Sequence, residues 1–161
     1  MSRQIGLMSM CEAANDQRRR WMSVLAKAEA AEIEEVWARL SGTPAYIFLR
    51  RPETGLVMVR ARAGGDGRPF NFGEMTVTRC SVRLVDGAVG HAYVAGRNGR
   101  HAELAAALDA LLLLDAGRGN HLQEKVIRPL AAAQDRRRVS EGRKAAATKV
   151  DFFTVKRGED Q

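Results

Sequence analysis

Apolar residues recur with period two in the middle of the chain and with a period near 3.6 on either side, which predicts helices flanking a sheet. The clearest alternation is Arg79-Cys80-Ser81-Val82-Arg83-Leu84, followed after Asp86-Gly87 by Ala88-Val89-Gly90-His91-Ala92-Tyr93-Val94. Asp-Gly between two β-rich runs predicts a two-residue type I′ hairpin, because both central positions of that turn need positive φ. With Val85 opposite Ala88, Leu84 faces Val89, Val82 faces His91 and Cys80 faces Tyr93, all on one side. Arg83, Ser81 and Arg79 then share the other side with Gly90, Ala92 and Val94. Upstream the apolar parity changes to Met75 and Val77. An extra residue near Thr78 would account for this as a bulge that re-aims Glu74, Thr76, Thr78 and Arg79; a strand buried on both faces would need no strict alternation either.

The first fifteen or so residues show no period and are expected to be loose. Asp16 suits an N-cap, after which Trp21, Leu25 and Ala28 form one helical stripe, and Ile33, Val36, Trp37 and Leu40 form a second, out of phase with the first. Two helices or one kinked helix follow from this, with the break near Ala30. Gly42 suits the position after the helix end and Pro44 blocks continuation. Both Trp residues lie on apolar stripes and read as core anchors. Residues Ala45–Arg50 read as a strand, Pro52-Glu53-Thr54-Gly55 as a turn and Leu56–Arg62 as a second strand. Gly64-Gly65-Asp66-Gly67 is a connection, without the Gly-Lys-Ser/Thr of a phosphate-binding loop. Residues 101–115 predict a helix with Leu104, Leu108, Leu111 and Leu112 inward. Another should begin near Asn120 with Leu122, Val126 and Leu130 as its stripe, kinked or restarted at Pro129.

The expected fold class is therefore α+β: an antiparallel sheet around a central hairpin, an N-terminal helical pair and C-terminal helices. The expected organisation is a loose segment over 1–15, one domain over 16–135, a basic linker over 136–147 and an extended tail over 148–161. Val150, Phe152, Phe153 and Val155 put large apolar side chains on both faces of that tail, so it is expected to dock, on its own sheet or on a partner's edge.

At 161 residues there is enough chain for one real core. Lys and Arg number 26 against 19 Asp and Glu, a formal net charge of +7 that favours phosphate-bearing or acidic partners. Cys11 and Cys80 lie far apart and suggest no disulfide framework, and Met-Ser-Arg-Gln opens no signal peptide, so the expected compartment is the cytoplasm. The apolar run from Leu104 to Leu114 is shorter than the roughly 20 residues of a membrane span.

His91, His101 and His121 share no metal-ligand spacing, and no metal is expected. Glu74 and His91 are the candidate proton carriers, and Arg60, Thr76, Arg79 and His101 the candidate substrate contacts. Cys80 shares its expected face with His91, but opposite Tyr93 it reads as a small buried hydrophobe rather than a nucleophile.

Several of these runs together resemble one family. Leu56–Arg62, Gly64-Gly65, the long block Pro69-Phe70-Asn71-Phe72-Gly73-Glu74-Met75-Thr76-Val77-Thr78-Arg79-Cys80-Ser81-Val82-Arg83-Leu84, Gly90-His91-Ala92-Tyr93-Val94, Arg100-His101-Ala102-Glu103-Leu104 and the closing Ala147-Thr148-Lys149-Val150-Asp151-Phe152-Phe153 with Arg157-Gly158-Glu159 are similar to the PhnG family of bacterial carbon-phosphorus lyase subunits. The resemblance runs from about Arg18 to Glu159. It implies a subunit of α-D-ribose 1-methylphosphonate 5-triphosphate synthase, in which a phosphonate oxygen displaces adenine from C1′ of ATP. It also implies assembly with PhnI, PhnH and PhnJ subunits, with PhnL needed for the step, and chemistry seated chiefly in PhnI. ATP and methylphosphonate would be substrates of the complex, with no cofactor bound by this chain alone.

The residues agree with a structural or allosteric subunit, having a docking tail and a basic surface but no self-sufficient catalytic set. A contribution to a composite active site is the second reading. A basic nucleic-acid-binding module is a third, weakened by an aromatic content of only 6%.

Overall fold

The computed structural model describes residues 2–40, 42, 44–116 and 121–148, with side chains from residue 12 onward. Its elements in order are α1 (Ser2–Lys27), α2 (Ala30–Arg39), β1 (Tyr46–Arg62), β2 (Pro69–Leu84), β3 (Val89–Ala95), α3 (Gly99–Ala116), a π-helical turn at Gln123–Ile127 and α4 (Arg128–Ala147). The strands form one antiparallel sheet in the order β1-β2-β3. An α+β fold results, with the helices packed on one sheet face. Cys80, Val82 and Leu84 of β2 and Ala92 and Val94 of β3 are buried with Leu104, Leu108 and Leu112 of α3. Trp21, Leu25, Ile33, Val126 and Leu130 close the same core from the other helices.

Helix α3 lies at the centre, and its many alanines let its backbone press on β3. A Cβ built on Gly90 would stand 2.0 Å from the Ala106 carbonyl oxygen, so only glycine fits there. One charge is enclosed in this layer. The Asp109 carboxylate, with no exposed surface, accepts from Arg18 Nε at 3.3 Å and Nη2 at 2.7 Å, from Trp21 Nε1 at 2.7 Å and from the His91 backbone N–H at 2.9 Å. It joins α1, α3 and β3 through one side chain, and its four bonds offset the cost of burying the charge. A second tie is Arg137 with Glu32, linking α4 to α2 at 2.6 Å and 3.1 Å.

The chain departs from the sequence expectations in several places. The hairpin closes through a three-residue loop: Leu84 N–H donates to Ala88, Gly87 N–H donates back to Leu84, and Gly87 has φ of 88°. Positive φ is needed at one loop residue instead of two. The pairing is therefore Val82 with Gly90, Ser81 with His91, Cys80 with Ala92 and Arg79 with Tyr93, one residue away from the expected register. Such a slip exchanges faces. His91 and Tyr93 lie on the open face with Arg79 and Ser81, and Cys80 does not share a face with His91.

Two strands and a turn were expected across 45–62, but β1 runs unbroken through Pro52 to Gly55. Irregularities between Phe48 and Arg50 and between Arg50 and Glu53 place extra residues on β1, and Pro52 sits in one of them. An edge strand tolerates this because the outward side needs no donor. No irregularity falls at Thr78. The β2 irregularity is at Phe72, between the Val59–Gly73 and Arg60–Asn71 pairs.

Backbone expected to be loose is helical from Ser2, and Asp16 lies within α1 instead of capping it. The break near Ala30 is present, and Glu29 and Glu32 form a capping box at the start of α2. Residues 136–147, read as a linker, continue α4, which starts at Arg128 with Pro129 in its first turn. Val150, Phe152, Phe153 and Val155 of the expected tail lie outside the described residues.

Candidate functional site

The sheet face turned away from the helices brings together the polar side chains on which chemistry could rest. Period-two alternation puts Arg79, Ser81 and Arg83 of β2 there, beside His91 and Tyr93 of β3. Arg79 and Arg50 both donate to Glu53 Oε1, at 2.5 Å and 2.6 Å. The Arg79 bond holds the Glu53 carboxyl below the usual range and, reciprocally, holds the Arg79 guanidinium more firmly protonated. Two guanidinium groups thus share one carboxylate, leaving an excess of positive charge on this face.

His91 stands where that face meets α1. Its Nδ1 is 2.8 Å from Ser81 Oγ, and the Asp109 bond fixes its backbone. It lines two adjoining cavities. One, of about 200 Å³, is walled by Met22, Leu25, Ala26, Ala92, Tyr93 and Ala105; the other, of about 350 Å³ and more open, by Asn15, Arg18, Arg19 and Met22. These cavities form a groove with an apolar end and a polar end, where Arg18 and Arg19 are paired with Asp109 and Asp16, with His91 between them.

The remaining sequence candidates are dispersed. Glu74 pairs with Met58, and Thr76 with Leu56, on the sheet face continuous with the core; Arg60, paired with Asn71, is on that face too. Glu74 lies seven residues along β2 from Ser81, the partner of His91, which at ~3.3 Å per residue is about 23 Å, and on the opposite face. The two candidate proton carriers therefore do not converge. His101 is buried, its Nε2 donating to the Leu25 carbonyl at 2.8 Å while its backbone N–H is capped by Asn98 Oδ1 at 2.9 Å. That is a structural role, pinning the end of α1 to the start of α3. The Cys80 thiol is pushed up to about 11 by burial, first of all, and by the Glu103 charge, so it is no thiolate at neutral pH. Among the described residues no group of three or more His, Cys, Asp or Glu could hold a metal ion, and no helix is long and apolar enough to cross a membrane.

Sequence reasoning missed Asp109 and Arg18, the pair that fixes the groove. A lone carboxylate inside Ala105-Ala106-Ala107-Leu108-Asp109-Ala110-Leu111-Leu112 was the available signal, since such a residue is buried only when partnered. Its partner was hidden in the run Arg18-Arg19-Arg20.

Comparison with known proteins adds what the geometry alone leaves open. The sequence model of a family described as "Phosphonate metabolism protein PhnG" matches residues 16–158. A curated relative from Rhizobium meliloti (strain 1021), named "Alpha-D-ribose 1-methylphosphonate 5-triphosphate synthase subunit PhnG", is 46% identical over 151 residues, covering 92% of this chain and 94% of that protein.

Proposed function

This chain belongs to the PhnG family, and on that premise we propose that it is a cytoplasmic, noncatalytic subunit of α-D-ribose 1-methylphosphonate 5-triphosphate synthase. It supports the displacement of adenine from ATP by methylphosphonate, while PhnI-like, PhnH-like and PhnJ-like subunits assemble with it and a PhnL-like protein assists. The observation that carries a noncatalytic role is the dispersal of its chemistry. Glu74 and His91 are on opposite faces, His101 serves packing, Arg79 is engaged with Glu53 and Cys80 is a buried thiol. General acid–base work needs its groups within hydrogen-bond reach of one reacting centre, and no pair of these provides that.

Coexpression with the other subunits tests the reading through adenine release from ATP and methylphosphonate. The full set is expected to release adenine, the chain alone to release none, and the set lacking this chain to lose activity. Undiminished activity without it would end the proposal. A chain lacking residues 146–161 asks whether Val150, Phe152, Phe153 and Val155 dock on a partner; loss of the assembled complex is the expected result. His91 is the sequence candidate placed on a cavity wall. The His91→Ala complex should keep turnover within about threefold, and a loss of the 10²–10⁴-fold size typical of a general acid or base in an intact complex would make this chain part of the active site.

A further inference from the structure

We propose that the projecting half of the β1–β2 ribbon, residues 54–77, is an arm that inserts into an apolar, acid-rimmed cleft on a different subunit of the synthase. The proposal rests on the subunit reading above. Strand β3 pairs with β2 only from Val77 onward, so beyond that point β1 and β2 continue as a two-stranded ribbon. A bare ribbon of this kind is at best marginally stable in water.

The arm nevertheless carries large apolar side chains. Phe72 is 72% exposed, Leu56 63%, Met58 53%, Phe70 45% and Met75 40%. They occupy both faces. Val57 and Met75 pair on one, with Phe70 and Phe72 joined edge-to-face there at 6.3 Å; Leu56 and Met58 point to the other. A flat contact would cover one set and leave the second in water, whereas a cleft covers both.

The charges select the occupant. Among the described residues, no ion pair involves Arg60, Arg62 or Arg68 of the arm, nor Arg83 further down the sheet. Arg60, Arg62 and Arg68 outnumber the arm's own carboxylates, Asp66 and Glu74, so burial against a second copy of this chain would leave a positive excess that carboxylates around a cleft would neutralise. Nucleic acid is less well suited, since Leu56, Val57, Met58 and Met75 offer no stacking surface and the two Phe rings are turned against each other.

The test compares backbone hydrogen exchange of the full chain alone and in the copurified complex, together with the double variant Met58→Glu/Phe72→Glu. Amides of residues 54–77 should exchange at least tenfold more slowly in the complex, and the double variant should retain less than a tenth of the partner subunits. If the unsubstituted chain assembles but its arm stays unprotected, or the double variant assembles as well as the parent, the arm proposal falls and the subunit reading stands. If the unsubstituted chain does not assemble, both fall. Arm protection that rises with concentration of the chain alone would assign the surface to a second copy. Salt-sensitive oligonucleotide binding lost in the double variant would assign it to nucleic acid. Either result overturns the proposal.

Discussion

The two halves of β2 are the same strand under opposite conditions. From Thr78 to Leu84 its alternate residues are buried beneath α3 and flanked by β1 and β3; from Pro69 to Met75 it has β1 on one side, and its residues are exposed on both faces. Apolar content is similar in both halves. In the first it is used for the chain's own core, where each fully buried Val or Leu contributes about 1.5–3 kcal/mol. In the second it contributes almost nothing until another surface arrives. Stability and assembly are thus separated along one strand, and a change in one half should leave the other's property intact.

The largest expected effect is at Asp109. Asp109→Ala strands the Arg18 guanidinium, the Trp21 N–H and the His91 N–H together, and should cost about 3–5 kcal/mol in urea unfolding, without altering amide exchange within the arm. Gly90→Ala comes next, forcing α3 away from β3 for about 1–3 kcal/mol.

A smaller effect separates the halves by pH. Tyr46, in the packed half of β1, donates to Glu103, and burial, followed by that neighbouring carboxylate, pushes its hydroxyl up to about 12 from an ordinary 10. The folded state thus holds the proton more tightly than the unfolded one. This stabilisation is complete below pH 10 and lost as pH rises from 10 to about 12. Tyr46→Phe should remove that part of the alkaline decline in melting temperature. The smallest effect is in the arm. Phe72→Glu should change the stability of the isolated chain by no more than about 0.5 kcal/mol, and a large loss would show that the arm packs on its own domain.

Periodicity made the order of elements legible, including the break near Ala30 and an irregularity before Pro129, which is a π-helical turn running straight into α4. It failed where tertiary packing decides between local alternatives. Asp86-Gly87 marks a hairpin, yet a two-residue and a three-residue loop both keep the alternation. What distinguishes them is Gly90, which must lie under Ala106 because any side chain there would collide; no local pattern reveals the helix above it. Pro52 and Gly55 look like a turn because they are breakers, and only an edge position with bulges lets a strand absorb them. The candidate site was partly legible. Arg79 lies on the open face, and His91, expected beside Cys80 and Val82, joins it there because the β3 register is shifted by one residue, while Glu74 stays on the face of Cys80 because β2 pairs regularly through Thr78.

The Asp109 junction also bears on how the chain is made. Arg18 leaves the ribosome 91 residues before the carboxylate that fastens it. At about 5–20 residues per second, roughly 5–18 seconds pass before Asp109 exists. During that interval Trp21 and Leu25 have no interior to enter, so α1 can be fastened only after α3 has been made.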